Sequence, residues 1–200
     1  MPNFKRSLVF ALRVLVVYAL LIAPWPGLKP LYARYFQGLG RAVFVDEGGR
    51  RSLEFQPLGD PEHAWPPNFD TGIIMANRNR LDAQGQGPRF LLTADAWQMG
   101  WAPTAFFMSL VLATPIPWRR RLRALGWGLV WVHGFILLTV GIFLWNESTR
   151  VALVTLTPFW KAVANRLEEL ALDPVGPGFF AAALIWMVVT FRRRDLADKP

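Results

Sequence analysis

The chain contains no cysteine. That excludes disulfides, thiolate metal sites and a cysteine nucleophile. Histidine is almost as scarce, with only His63 and His133, too few for a histidine-rich metal centre. No nucleophile–base pair, metal set or phosphate loop stands out, so no cofactor and no metal is expected. The chain also lacks internal repeats and low-complexity segments. Its four apolar stretches carry almost no charge, Arg13 in the first being the exception.

What is present is apolar and basic. Of 200 residues, 53% are hydrophobic, and 22 Lys+Arg against 14 Asp+Glu give a net charge of +8. A charge of that size invites a nucleic-acid reading, and its distribution removes it. Three clusters at the ends of apolar stretches hold eleven bases and two acids. They are Lys5, Arg6 and Arg13; Arg119, Arg120, Arg121 and Arg123; and Arg192, Arg193, Arg194 and Lys199. The rest of the chain holds eleven bases and twelve acids. The excess is therefore topogenic, and it suits the anionic inner leaflet. The pattern predicts a four-span protein of the bacterial cytoplasmic (inner) membrane with both termini in the cytoplasm. Membrane lipids are expected partners and nucleic acid is not.

The first span is expected over about residues 7–27, ended by Pro24, Pro26 and Pro30. It reads as a retained anchor, because Pro24, Trp25 and Pro26 are poor residues for signal-peptide cleavage. Residues 30–42 show helical spacing of Leu31, Tyr32, Tyr35, Phe36 and Leu39, which suits a juxtamembrane helix. A period of two then takes over. Val43 and Val45, then Leu53 and Phe55, flank Asp46–Gly49 and predict a hairpin. Thr71–Ala76 and Arg89–Thr93 are two further strands. The second span is expected over Trp97–Trp118 and the third over Ala124–Trp145, joined by a tight basic turn at Arg119–Arg123. An amphipathic helix is expected after Pro158, ending near Asp173. The fourth span covers about Gly178–Phe191, with Gly178, Ala181, Ala182 and Ala183 suited to close packing.

The fold class is thus membrane α-helical. Four transmembrane helices carry a small extracytoplasmic antiparallel β (α+β) insertion between the first and second, and an amphipathic helix between the third and fourth. The expected segments are 1–27, 28–96, 97–145, 146–177 and 178–200.

Few side chains are candidates for chemistry. Asp70-Thr71-Gly72 matches the tripeptide that carries the aspartic-protease carboxylate. A single copy would need a homodimer, and Pro67-Asn68-Phe69 is not the apolar strand that motif follows. The simpler reading is a turn opening a strand, with Asp70 bonding its own backbone. His133 falls mid-span, where an ionisable residue marks a functional site or a neutral imidazole bonded to a neighbouring helix. His63 reads as a solvated loop histidine. Arg78 and Arg80, beside Asn77 and Asn79, suit a solvated turn or a phosphate or carboxylate contact. Asn146-Glu147-Ser148 matches a glycosylation acceptor. The ten tryptophans mostly fall at expected interfaces.

Three features together resemble a known family. They are the anchor followed by Tyr32-Ala-Arg-Tyr-Phe-Gln-Gly-Leu-Gly-Arg-Ala-Val-Phe44, the β segment with Asp70-Thr71, and Ala113-Thr-Pro-Ile-Pro-Trp-Arg-Arg-Arg-Leu-Arg123 between two spans. In layout the chain resembles small membrane proteins that accompany exosortase and archaeosortase systems. The resemblance implies an accessory role beside a membrane transpeptidase that sorts proteins to the surface. It does not imply the transpeptidase, which uses a cysteine.

The sequence therefore points to a non-enzymatic accessory or assembly subunit of an inner-membrane complex, whose partner is another membrane protein. The other reading is a membrane-embedded enzyme or small-solute transporter subunit. It would use His133, or the outer cluster of Asp70, Arg78 and Arg80.

Overall fold

A computed structural model describes residues 2–45, 51–58, 69–77, 89–150, 157–171 and 176–191. The protein is mostly helical, with one small antiparallel sheet. In chain order come α1 (Pro2–Ile22), α2 (Leu28–Phe44), β1 (Arg51–Pro57), β2 (Thr71–Asn77) and β3 (Arg89–Ala94). A single π-helical turn, Trp97–Trp101, leads into α3 (Ala102–Ala113). Then follow α4 (Trp118–Arg150), α5 (Pro158–Ala171) and α6 (Gly176–Thr190). The chain divides into two compact units. One gathers α1, α3, the first part of α4 and α6; the other gathers α2, the sheet, the latter part of α4 and α5.

Proline sets the breaks in the helical unit. Pro24 and Pro26 stop the chain from continuing as a helix after α1. Gly27 then takes φ 80, a left-handed conformation that glycine adopts without steric cost, and α2 starts. Pro115 and Pro117 end α3 in the same way, and α4 begins one residue later.

Aromatic contacts fix the helix directions in this unit. The Tyr18 ring meets Phe106 edge-on, with centroids 5.9 Å apart, and meets Phe179 at 6.3 Å. Phe10, two turns earlier in α1, stacks on Trp186 at 5.9 Å. The Trp101 indole donates to the Leu21 carbonyl at 3.1 Å. So α1 runs antiparallel to both α3 and α6. The fully buried Phe107 ring occupies the space a side chain at Gly128 would need, which sets α4 antiparallel to α3. The start of α1, the end of α3, the start of α4 and the end of α6 therefore share one end of the bundle. Lys5 and Arg6, and all of Arg119, Arg120, Arg121 and Arg123, belong to those helix ends.

In the second unit the sheet order is β1-β2-β3, all antiparallel. Phe55 pairs with Ile73, and Ile73 with Leu92, so one face carries a buried apolar row. Helix α2 packs on the sheet with Tyr32, Ala33, Phe36, Gln37 and Gly40 buried. Gly40 is required there, because a Cβ would meet the Phe55 ring at 2.5 Å. Phe44 stacks on Phe55 at 6.3 Å.

Several expectations are corrected. The sheet has three strands where four were expected. Val43 lies in α2, whose helix runs on to Phe44 because Phe44 and Gly40 pack against Phe55. Residues Asp46–Gly49 lie outside the described residues. Of the expected apolar face of α2, Tyr32 and Phe36 are buried, while Leu31 and Tyr35 are exposed. The basic cluster is not the turn between the second and third apolar segments. The turn is Thr114–Pro117, and Arg119–Arg123 form the first turns of α4. That helix runs past the expected end at Trp145 to Arg150. The strands at 71–77 and 89–94, and α5 from Pro158, match expectation. Among the described residues only α4 is clearly long and apolar enough to cross a membrane, over Trp118–Ser148, with mean hydropathy 2.0. Helix α1 carries Lys5, Arg6 and Arg13, and α3 and α6 are only 12 and 15 residues long.

Close packing at Gly128 yields a first prediction. Gly128→Val forces the Phe107 ring aside and should lower stability by about 1–3 kcal/mol, read as a fall in the thermal midpoint of the purified protein. Gly126→Ala, in a helical position where a Cβ meets nothing within 4 Å, should leave the midpoint unchanged or raise it.

Candidate functional site

Asp70 closes a polar cluster at the opening of β2. Its backbone joins the sheet: Asp70 N–H donates to the Ala94 carbonyl at 3.3 Å, and its carbonyl accepts from Leu58 N–H at 3.0 Å. The carboxylate reaches across to the chain beyond β3. Oδ1 accepts from the Ala96 N–H at 3.0 Å and from the Thr71 hydroxyl at 3.0 Å. From α2, the buried Gln37 amide donates to Thr71 Oγ1 at 3.2 Å and, at 3.4 Å, to the Asp70 carbonyl. Asp95 caps the next helical turn, with Oδ1 accepting from the N–H groups of Trp97 at 2.9 Å and Gln98 at 3.1 Å. The two aspartates thus tie the top of the sheet to the first turn of the following helix.

Burial pushes the Asp70 carboxyl above its ordinary value of 3.8, and the nearby negative charge of Asp95 pushes the same way. The Ala96 N–H, the Thr71 hydroxyl and Lys29 pull against that rise. Oδ2 is sealed from solvent and has no hydrogen-bond partner among the described residues. A carboxyl with one oxygen engaged by the backbone and the other enclosed has no face to offer a substrate. Its geometry is that of a brace. The expectation that Asp70 bonds its own backbone is corrected: its partners are Thr71 Oγ1 and Ala96 N.

The basic end of the bundle is the second constellation. Arg121 Nη2 donates to the Thr114 carbonyl, which ends α3, at 2.8 Å. Arg120 Nη2 donates to the Thr190 carbonyl, which ends α6, at 2.6 Å. The last carbonyls of a helix lack intrahelical donors and carry partial negative charge. Both arginines meet that need, and the Arg121 guanidinium also lies 5.5 Å from the Trp118 ring centroid. Trp186 adds an indole N–H to Thr114 Oγ1 at 2.9 Å. These two arginines, expected to face lipid, are thus engaged with helix ends, while Arg119 and Arg123 are exposed.

His133 is half-buried in α4, and its Nδ1 lies 2.8 Å from the Leu129 carbonyl of its own helix. Beside it, Gly134 makes no close approach, since a Cβ there would meet nothing within 4 Å. Asn146, Glu147 and Ser148 are buried within α4, so this acceptor triplet is not presented for glycosylation. Their burial also places a carboxylate in the apolar helix, where none was expected. His63, Arg78, Arg80, Arg192, Arg193 and Arg194 lie outside the described residues.

Sequence reasoning missed Gln37 and Asp95. Asp95 had a readable signal, an aspartate just before an apolar helical run. Gln37 had none, because its partner lies 34 positions away. No protein-family model, curated protein or solved structure matches the chain.

A second prediction concerns pH. A carboxyl whose pKa is raised on folding stabilises the fold below the unfolded value and loses that contribution as pH rises through the folded value. Asp70→Asn keeps an oxygen for Ala96 N–H but cannot ionise. Its thermal midpoint relative to the native protein should therefore rise as pH increases from below 3.8 toward neutrality. Asp70→Ala leaves the Ala96 N–H without its acceptor and should cost about 1–3 kcal/mol at neutral pH.

Proposed function

We propose that this chain is an integral protein of a bacterial inner membrane, with α1, α3, α4 and α6 as four spans and both termini in the cytoplasm. In this reading it is a non-enzymatic accessory or assembly subunit of a larger membrane complex. The observation that carries the membrane reading is the gathering of helix ends and basic residues at one end of the bundle. A positive-inside protein requires that arrangement.

The short helices are compatible with it. Helix α6, with 15 residues, is about 22 Å long, below a hydrocarbon core of about 30 Å. Local thinning of the bilayer absorbs such mismatch at modest cost. In this reading residues 28–96 lie outside the cytoplasm.

The accessory role draws on exposed apolar surface. Phe159 on α5 is 68% exposed and Trp160 is 49% exposed, which is costly in a free subunit and useful in a bound one. The β1 edge is partly blunted, because Arg41 donates to the Phe55 carbonyl through Nε at 2.9 Å and Nη2 at 2.5 Å. The family resemblance makes a surface-sorting membrane transpeptidase the first partner to test.

Topology reporters fused after Asp60 and after Asp173 should read outside, and a reporter at Lys199 should read inside. A cytoplasmic reading at Asp60 overturns the four-span scheme. Mild-detergent purification should recover a second membrane protein, and Phe159→Glu with Trp160→Glu should reduce that recovery at least severalfold. A clean monomer from native membranes counts against the accessory role.

A further inference from the structure

Helix α2 has two faces, and the sheet takes one of them. Tyr32, Ala33, Phe36, Gln37 and Gly40 are buried where the helix packs on the strands. Leu31, Tyr35, Gly38 and Ala42 recur at intervals of four, three and four, so they share the opposite face. All four are exposed, Leu31 at 64% and Tyr35 at 47%. A Cβ at Gly38 would meet nothing within 4 Å. The outward face continues into the segment before the helix. Trp25, Pro26, Leu28, Leu31 and Arg34 are among the residues lining a groove of about 530 Å³, and Trp25 is 56% exposed.

We propose that this face seats on the lipid surface of the membrane, with Leu31 and Tyr35 at the boundary of headgroups and acyl chains and Arg34 among the phosphates. The proposal rests on the membrane reading above. Chain connectivity favours lipid as the occupant. Only residues 23–27 separate α1, a span in that reading, from α2, a tether of at most about 20 Å. Helix α2 must therefore start near the surface where α1 leaves the bilayer. The residue types fit that depth. Trp25 and Tyr35 each carry an apolar ring with a polar edge, the kind of side chain that collects at the headgroup level. The charged residues of α2 are Lys29, Arg34 and Arg41, all basic, and a helix with basic residues beside an apolar stripe is held on an anionic surface by both area and charge. Arg41 is engaged by the Phe55 carbonyl, whereas Arg34 is exposed and lines the groove beside Leu31. The other face of α2 carries the sheet, so the helix couples the strands to the bilayer.

The lack of native cysteine allows single spin labels in the full chain, reconstituted in vesicles of phosphatidylethanolamine and phosphatidylglycerol. Labels at Leu31→Cys and Gly38→Cys, both exposed positions, should collide with lipid-soluble oxygen severalfold more often than with a water-soluble nickel chelate. Glu54→Cys, exposed on β1, should show the reverse. A predominance of nickel collisions at Leu31 and Gly38 overturns the seat. Protection of both positions from either reagent also overturns it, because a second copy of the chain then covers the face. Val130→Cys, exposed on α4, separates the two readings. Nickel access at Val130 overturns the membrane reading and the seat with it, whereas oxygen access at Val130 with nickel access at Leu31 overturns the seat alone.

Discussion

Backbone carbonyls at the ends of α3 and α6 need donors, and the first turn of α4 supplies them. The rest of the helical unit follows from that requirement. Pro115 and Pro117 end α3 abruptly, so the chain must turn within four residues and cannot cap Thr114 with continuing helix. Arg121 reaches back to Thr114 and Arg120 reaches across to Thr190. Each bond joins a fixed cation to the negative end of a helix dipole. Two helices are thereby anchored to a third at one level. Once α3 and α6 end at the base of α4, the Tyr18 contacts with Phe106 and Phe179 leave α1 only the antiparallel direction. The basic cluster at the start of α4 and the bonds that close the bundle are thus partly the same residues.

The sheet unit is organised by a different constraint, the burial of polar groups where α2 meets the strands. Gln37 is among the most buried polar residues and is tolerated because Thr71 Oγ1 accepts from it. Thr71 in turn donates to Asp70, and Asp70 accepts from Ala96. The chain of bonds runs from helix through strand to the next helical turn, so loosening one member exposes a buried orphan in another. That is a structural reason for an Asp-Thr pair at this position, independent of any protease chemistry.

Much of this was legible in the residues. Proline placed the breaks between α1 and α2 and between α3 and α4, and the strands expected over Thr71–Ala76 and Arg89–Thr93 are present at 71–77 and 89–94. The amphipathic helix after Pro158 was legible for the same kind of reason. The errors share a physical cause. Val43 and Val45 alternate as strand residues do, yet Val43 is helical because Gly40 and Phe44 of the same helix dock on Phe55, a tertiary contact that overrides local propensity. The arginine cluster was read as a loop because charge suggests solvent. Arginine is also a good helix former, and here the prolines before it make the turn. Gln37 and the Ala96 N–H entered the Asp70 cluster through long-range contacts that no local spacing encodes.

The same reasoning separates candidate chemistry from architecture. An ionisable group kept for catalysis or transport must present its titrating atom to a substrate, to water or to a second carrier. Asp70 turns one oxygen to a backbone amide and encloses the other. His133 places Nδ1 against a carbonyl one turn earlier in its own helix. Arg120 and Arg121 each hold a helix end. In each case the polar atom meets a need that folding creates, which is the economical account of a costly residue in an apolar setting. Arg123 is different. It is exposed, holds no helix end, and stands at the head of two outward-facing indoles. Among the described residues it takes no part in the bonds by which Arg120 and Arg121 close the bundle, so the folding account given for those two does not extend to it.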